Sequence, residues 1–521
     1  MIKKYILILV SLFAAVLCGP PKPGQGDRTS GSEEKETPMR DSSEVLRDLE
    51  SAEWSVRSQA AVEAGSRGLK EALPKLRKLF TEDKNPAVRG SSAVALADLK
   101  DNESVPVILK HMKDEPEDSP DVYIEVLKRM GNRQAGKALV PYLNSEMDVI
   151  RLLAVDALAT LETKEAGADI LRMAEKNGSL EKHKTYAMAL GKLGIKEAEN
   201  YLIGLAEKTE PSPTLAASIL ALGRIKSRKA VPVLSGFLGK PFDKGRENAV
   251  DALVMIQDRS CLPLVYPYMS NHDKEIRYTA AKAVAEIPDP ASADRVLEIL
   301  SGKDSVLFGA ASYAAGRLKA EKARKKIEEI LVKKDVPERE VIAQSLGWIG
   351  NKESIPVLIS VLQENSGEGR YGAAWSLGIM EAKEAFEDLK KAASSSDGRL
   401  ASAALESLGM LKMEESLDFL EKNAKSSKGL ALFSIGSISN IPGEKARKIL
   451  EEFAKSRELN YFQPAIEALG KRKEKESVPF LISILKDKES SGKLKMTIAA
   501  LTSITGDKFR SSTEWINKYG N

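Results

Sequence analysis

The chain has 521 residues, of which 42% are hydrophobic, 30% are charged and only 5% are aromatic, a composition that leaves little room for β-structure. Its 79 basic and 75 acidic residues give a net charge of +4 and are interspersed, which excludes a basic block of the kind that binds nucleic acid. Two cysteines without a CxxC pair exclude a disulfide framework and a cysteine-rich zinc site.

Residues 1–18 have the pattern of an export signal. Lys3 and Lys4 precede thirteen mostly apolar residues, a run shorter than the roughly 20 residues that a membrane-spanning helix needs. The run ends at Cys18, and an apolar signal core that ends in cysteine resembles a bacterial lipoprotein signal. The resemblance implies a lipid on Cys18 and an exported protein anchored in the bacterial cell envelope. The alternative is an exported protein with an unmodified cysteine, because Leu17 stands where these signals usually have Ala, Gly or Ser.

Residues 19–43 are predicted to be a disordered polar linker. They contain almost no apolar residue and are rich in Gly, Pro, Ser, Glu and Lys, so they cannot bury enough surface to fold. Such a linker would tether the folded part of the chain to a lipid and hold it clear of the membrane.

From residue 44 to residue 505 the chain repeats one short pattern about every 31 residues. The pattern is a small residue, an aliphatic anchor and usually Gly: thirteen of fifteen anchors follow Ala or Ser, and ten precede Gly. A fixed period of this length is the signature of a stacked-repeat solenoid, in which no repeat can bury its apolar face alone. The anchors are Ala64, Leu96, Met130, Leu158, Leu190, Leu222, Leu253, Val284, Ala315, Leu346, Leu377, Leu408, Ile435, Leu469 and Leu501.

Each repeat is predicted to contain two helices. With the anchor at position 8, apolar or small residues fall at positions 0, 4, 7, 8 and 11 and share one sector of an alanine-rich helix, as in 150–161. The Gly after the anchor serves either close packing or a left-handed helix end. Ten residues after the anchor, a proline suited to a first helical turn opens a second apolar helix in six repeats, at Pro74, Pro106, Pro232, Pro263, Pro356 and Pro479.

This pattern is similar to the short HEAT-like repeat, including the type found in phycobilin lyases. The matching features are A-x-P-x-L, as in Ala230–Leu234, and V-R before the alanine-rich segment, as in Val88-Arg89. The resemblance implies an all-α, right-handed α-solenoid of about fifteen HEAT-like helix pairs. It implies almost nothing about function, because the pattern consists of packing residues.

Arginine recurs just inside the alanine-rich helix. Its two interpretations are an Asp–Arg ladder that ties successive repeats together, which the resemblance favours, and a basic ladder for anions. Acidic residues that often precede it, such as Asp83, Asp273, Asp335 and Glu364, suit the first interpretation. The arginines are Arg57, Arg89, Arg151, Arg246, Arg277, Arg339, Arg370 and Arg399.

The sequence contains no pattern that indicates catalysis. Its three histidines, His111, His183 and His272, are far apart, and none precedes the Glu that helical-repeat di-iron hydroxylases require. No phosphate-binding glycine loop, HExxH or GxSxG occurs. We therefore predict a non-enzymatic protein without catalytic residues, metal or cofactor.

Partner-binding residues are sought at positions 2, 6 and 10 of the alanine-rich helices, opposite the buried sector. Most repeats place polar or small residues there, but neighbouring repeats place Tyr278, Tyr313, Trp348 and Tyr371 there, together with Arg317. These residue types are enriched at the centres of protein interfaces. The alternative is that the rings fill space between helices of an irregular stack, and Trp375 is expected in the core.

Residues 506–521 depart from the pattern and are predicted to form a C-terminal cap, because a terminal repeat needs an atypical outer face to stay soluble. The function expected from these features is a protein–protein interaction scaffold or adaptor that binds its partner along the concave face of the solenoid. The alternative is a small-ligand or cofactor-binding accessory protein that uses the aromatic stretch.

Overall fold

A computed structural model describes residues 41–115, 118, 120–176, 180–241, 243–427, 429–487, 492–509 and 511–520. These residues form α-helices joined by short turns, many of them 3-10, and include no β-strand. None of their helices combines the length and the apolar character that crossing a membrane requires. The predicted export signal, Cys18 and nearly all of the linker lie outside the described residues.

The chain divides into two compact units, of which the first ends at Ser104. In this unit the described residues form two helix pairs. Their helices are α1 (Ser42–Asp48), α2 (Trp54–Ser66), α3 (Leu73–Glu82) and α4 (Pro86–Asp98).

The second unit begins at Val105, and its described residues form thirteen helix pairs and a final helix. The helices are α5 (Val105–Asp114), α6 (Pro120–Met130), α7 (Gly136–Leu139), α8 (Asp148–Thr160), α9 (Gly167–Lys176), α10 (Leu180–Leu193), α11 (Glu199–Lys208), α12 (Pro213–Arg224), α13 (Val231–Gly236), α14 (Asp243–Ile256), α15 (Leu262–Val265), α16 (Lys274–Glu286), α17 (Ser292–Leu300), α18 (Phe308–Arg317), α19 (Arg324–Leu331), α20 (Arg339–Ile349), α21 (Ile355–Leu362), α22 (Gly369–Ile379), α23 (Phe386–Ala393), α24 (Gly398–Met410), α25 (Leu417–Ser426), α26 (Ala431–Ile438), α27 (Glu444–Lys455), α28 (Leu459–Arg472), α29 (Val478–Lys486), α30 (Leu494–Thr505) and α31 (Ser512–Tyr519).

The even-numbered helices from α2 to α30 are the predicted alanine-rich helices. Each contains one anchor, and every anchor side chain is buried, Met130 being the most exposed at 5%. Within each unit, consecutive even-numbered helices pack against one another. The all-α helix-pair repeat predicted from the sequence is therefore confirmed.

The Gly after the anchor serves close packing in most repeats. A Cβ on Gly191 would stand 2.6 Å from the Cα of Ala221, the small residue of the next repeat, and Gly223 has the same relation to Ala252. A residue four positions after the anchor instead ends the helix in the left-handed conformation, as Lys226 does with φ 56° and Lys319 with φ 51°.

The repeat register differs from the prediction in α26. A Cβ on Gly409 would meet the Cα of Ser437 at 2.7 Å, so Ser437 is the small residue of this repeat. The structural anchor is therefore Ile438 and not Ile435, although both are fully buried. With Ile438, the spacings to the neighbouring anchors become 30 and 31 residues in place of 27 and 34.

A short 3-10 turn precedes many of the odd-numbered helices and buries its last residue. Cys261 ends one such turn, Arg259–Cys261. Its side chain is fully buried, and burial raises the pKa of the thiol to about 11. At the C-terminal end, a capping box between Ser511 and Glu514 begins α31, and the indole of Trp515 is buried and donates to the Phe509 carbonyl at 3.2 Å.

Candidate functional site

Four alanine-rich helices of the second unit carry a row of aromatic side chains on their exposed side. This aromatic row consists of Tyr278 in α16, Tyr313 in α18, Trp348 in α20 and Trp375 in α22. Successive ring centroids lie 5.9, 5.6 and 5.6 Å apart, and the ring planes meet at 59°, 90° and 72°. All four side chains are half-buried, so the rings pack on one another and still present surface to solvent.

Trp375 was expected in the core, and this expectation is wrong. It stands two residues before its anchor, Leu377, as Tyr313 does before Ala315, so both residues occupy the same exposed column of the helical wheel. The ring of Trp375 meets Trp348 nearly edge-on. The sequence therefore contained the signal that places Trp375 in the row.

Arg317 follows Tyr313 by one helical turn and lies beside the row. Its guanidinium carbon is 5.9 Å from the ring centroid of Trp348, and its side chain is exposed. Within the part of the chain that the structure describes, Arg317 forms no ion pair and no side-chain hydrogen bond. The Tyr313 hydroxyl and the indole N–H groups of Trp348 and Trp375 likewise form no hydrogen bond with the described residues. The row and Arg317 thus present four donor groups for which the described residues provide no acceptor.

Tyr278, at one end of the row, is fixed by Glu338. The Tyr278 hydroxyl donates to Glu338 Oε2 at 2.9 Å, and Lys274 Nζ lies 3.0 Å from Glu338 Oε1. Glu338 has a left-handed backbone, φ 61°, and its carboxylate lies directly over Gly309, where a Cβ would come within 1.8 Å of it. Burial, and then the hydrogen bond to Glu338, raise the pKa of Tyr278.

Tyr371 lies in α22, as Trp375 does, but its side chain belongs to a separate cluster with residues at the start of α24. The guanidinium carbon of Arg399 lies 4.6 Å from its ring centroid, and its hydroxyl donates to Asp397 Oδ2 at 2.5 Å. This hydrogen bond raises the pKa of Tyr371 and lowers the pKa of Asp397. Arg399 also donates to Glu340 Oε2 at 2.5 Å. The structure therefore brings together Tyr278, Tyr313, Trp348 and Arg317, and leaves Tyr371 outside the row.

Two of these contacts join helices that are not neighbours. Tyr278 of α16 reaches Glu338, the residue before α20, across Gly309 of α18. Arg399 of α24 reaches Glu340 of α20, although α22 lies between them. In each case the side chains of two helices meet above the helix that lies between them. This happens on the exposed side of the alanine-rich helices, at both ends of the row.

Four exposed apolar side chains also lie on this face, and three of the four belong to helices outside the row. The prediction from the sequence missed them. Met188, Met255 and Ile379 occupy the same exposed columns as the row, a signal that could have identified them, whereas Leu432 does so only in the register with Ile438 as anchor. With their exposed fractions they are Met188 (47%), Met255 (38%), Ile379 (44%) and Leu432 (59%).

The recurrent arginines are occupied by structural contacts. Arg57 binds Asp83 at 2.7 Å and Arg339 binds Glu364 at 2.7 Å, each in the following repeat. The hydrogen bonds from Arg339 hold the pKa of Glu364 below its ordinary value. Asp273 instead caps its own helix. Five others donate to main-chain carbonyls of the turn before their own helix, so they are held by structural contacts but do not form the predicted link between repeats: Arg89, Arg151, Arg246, Arg277 and Arg370.

The residue types that bind metals come together at the α5–α6 connection. Potential ligand atoms of His111, Glu115 and Asp118 lie within 4.8 Å of one another. His111 Nε2 is 2.8 Å from Asp118 Oδ2, and Tyr123 donates to the same carboxylate at 3.3 Å. Hydrogen bonds account for this arrangement. The absence of a metal, a cofactor and catalysis stays a prediction.

Family models match this chain in the repeat region. The model of HEAT repeats matches residues 43–122, 176–253, 236–315 and 355–431, together more than half of the chain. The model of the PBS lyase HEAT-like repeat matches residues 338–364. No curated protein sequence matches the chain significantly.

Several solved structures are similar to this chain at low identity. Importin beta is 12% identical over 92% of this chain and 74% of its own, with a TM-score of 0.47. Kap95p is 12% identical over 92% and 74%, with a TM-score of 0.48. The karyopherin Kap121p, bound to the SUMO protease Ulp1p, is 12% identical over 89% and 70%, with a TM-score of 0.39.

Proposed function

Because this chain belongs to the HEAT-repeat proteins, we propose that it is a non-catalytic scaffold or adaptor that binds another protein along the exposed side of its alanine-rich helices. The aromatic row beside Arg317 is the observation that carries the proposal. Trp, Tyr and Arg supply most of the binding energy at protein interfaces, because they bury large areas and keep a polar group for a hydrogen bond.

The shape of this surface supports a protein partner. Repeat arrays bind along extended inner surfaces, and side chains that converge across an intervening helix are expected on the concave side of a curved stack. The Tyr278–Glu338 and Arg399–Glu340 contacts have this geometry. Exposed apolar residues such as Ile379 and Met255 continue the face beyond the row and would add contact area.

The setting that we propose is the bacterial cell envelope, with the chain anchored through a lipid on Cys18. The basic start, the short apolar run and the cysteine at its end support this setting, and residues 19–43 would serve as the tether. A Cys18→Ser variant should lose acylation in metabolic labelling with a fatty acid and should leave the membrane fraction. Cys261→Ser is the matched control, because that thiol is fully buried, and should stay labelled. Equal labelling of the Cys18→Ser variant would refute the anchor.

Crosslinking in intact cells followed by mass spectrometry tests the scaffold function. The native chain should capture a protein, and a Tyr313→Ala/Trp348→Ala variant should lose it while keeping the helical circular dichroism of the native chain. Trp54→Ala is the control, because Trp54 is 48% exposed and lies outside the row. A small molecule that co-purifies without any captured protein would contradict the scaffold function and favour a ligand-binding accessory protein.

A further inference from the structure

We infer that the segment of the partner bound by the aromatic row is an extended, proline-containing polypeptide in the polyproline II conformation. This inference rests on the proposed scaffold function and specifies the chemistry of the partner. Three properties of the row support it: its unpaired donors, the arrangement of its rings and its positive charge.

The unpaired donors require acceptors that are free in the partner. Indole and guanidinium groups only donate hydrogen bonds, so Trp348, Trp375 and Arg317 bind acceptors alone. In an α-helix or a sheet, most main-chain carbonyls are already used in internal hydrogen bonds. A polyproline II segment has no internal hydrogen bonds, and all of its carbonyls are available. The donors of the row therefore fit an extended segment better than a helix.

The rings suit proline side chains. Because the planes of Tyr313 and Trp348 meet at 90°, and those of Trp348 and Trp375 at 72°, neighbouring rings do not cover each other's faces. Each partly exposed ring face is an apolar surface on which a proline ring can pack. Aromatic-lined grooves bind polyproline II segments through such contacts, at a low cost in conformational entropy. A polyproline II helix has three residues per turn, so prolines at every third position share one face of the segment. That face can lie along the rings, whose successive centroids are 5.6–5.9 Å apart.

The charge of the surface complements an acidic residue in the segment. Lys274 pairs with Glu338, and Lys282 pairs with Asp251. Arg317 forms no ion pair within the described ranges, so its positive charge beside Trp348 is available to a partner. We therefore place an acidic side chain next to the prolines, where the segment passes Arg317 and Trp348.

Fluorescence anisotropy with labelled synthetic peptides and the full-length chain tests this inference. One set of peptides has proline at every third position and a single aspartate. A second set replaces the aspartate with lysine, and a third consists of alanine-rich amphipathic helices. We expect the first set to bind, the second to bind more weakly and the third not to bind.

Conservative variants separate the contribution of the N–H donors to peptide affinity from the contribution of ring packing. Trp348→Phe and Trp375→Phe keep an aromatic ring but remove the N–H, so each should weaken binding of the first peptide set by about three- to tenfold, the factor expected for one hydrogen bond. Trp54→Phe should leave the affinity unchanged.

Preferential binding of the helical peptides, or native affinity in both Phe variants, would overturn the inference. The failure of the proposed function is distinguishable. If no proline peptide binds but crosslinking in cells still captures a protein through Tyr313 and Trp348, only the extended segment is wrong. If crosslinking captures none, the scaffold function fails as well.

Discussion

A Cβ atom on Gly347 would stand 2.9 Å from the Cα of Ser376 in the next alanine-rich helix. The hydroxyl of Ser376 also donates to the Ala343 carbonyl at 2.9 Å, which joins the two helices near this close approach. We expect Gly347→Ala to lower the free energy of unfolding by about 1–3 kcal/mol, because the new methyl group must push the two backbones apart. Urea denaturation followed by circular dichroism measures this change.

Gly204→Ala is the matched control for this prediction. Gly204 lies within α11, and apart from the backbone of its own helix and its two chain neighbours, no heavy atom of the described residues stands within 4 Å of a Cβ placed on it. The same substitution should stabilise the protein there by about 0.5–1 kcal/mol, because alanine loses less conformational freedom than glycine when a helix forms. If both variants changed stability equally, glycine would not be required for the approach of α20 and α22.

Two lysines end their helices in a conformation that favours glycine. Lys226 and Lys319 have φ values of 56° and 51°, and a left-handed backbone costs a non-glycine residue about 1–2 kcal/mol. Lys226→Gly and Lys319→Gly should each raise the thermal midpoint, because the relief of this cost outweighs the greater freedom of glycine in the unfolded chain. Lys325→Gly, inside α19, should lower it by removing about 1 kcal/mol of helix propensity. A lower midpoint in all three variants would contradict the prediction.

The ion pairs of two arginines should differ in energy because they differ in burial. Arg339 and Glu364 are 6% and 15% exposed, whereas Arg399 and Glu340 are 61% and 23% exposed. A double-mutant cycle to alanine should give a coupling energy of about 2–3 kcal/mol for the first pair. The exposed pair should give less than about 1 kcal/mol. Equal couplings would mean that burial does not decide the strength of these contacts.

The Arg339–Glu364 pair should also make stability depend on acid pH. Arg339 lowers the pKa of Glu364 below its ordinary value of 4.5, so the unfolded chain binds this proton more readily than the folded chain. The stabilisation is therefore complete above about pH 4.5 and is lost as the pH falls toward the folded pKa. Glu364→Gln should be less stable than the native chain at neutral pH, and this difference should shrink in acid. Thermal midpoints across the acid range measure this, and a constant difference would contradict it.

The sequence predicted the fold well because packing residues repeat. Each anchor, such as Leu346 or Leu377, faces the same surroundings as its neighbours, so the pattern identifies the buried sector without knowledge of long-range contacts. The register in α26 was misplaced because Ser434-Ile435-Gly436 satisfies the pattern, while Ser437 meets the preceding glycine. The more regular spacing around Ile438 and the position of Gly409 in space distinguish the two.

The candidate site could be predicted only in part. The helical wheel identified Tyr278, Tyr313, Arg317 and Trp348 as residues of the exposed side, and the structure joins them. The wheel could not separate Tyr371 from them, because the Asp397 and Arg399 contacts that hold its ring depend on distances between helices. Nor could it reveal that Glu338 lies over Gly309, because the backbone of Glu338 departs from the helix.

The burial of Cys261 gives the unmodified chain its own reporter of local opening. The closed repeat shields the thiol, and its raised pKa keeps it protonated at neutral pH, so an alkylating reagent can react only when the turn before α15 opens. Alkylation at this residue, located by peptide mass spectrometry, therefore yields the free energy of a single opening event in the middle of the array. If the alkylation rate is measured again with a partner bound to the neighbouring helices, it would show whether binding at one repeat makes the opening of the next repeat less frequent.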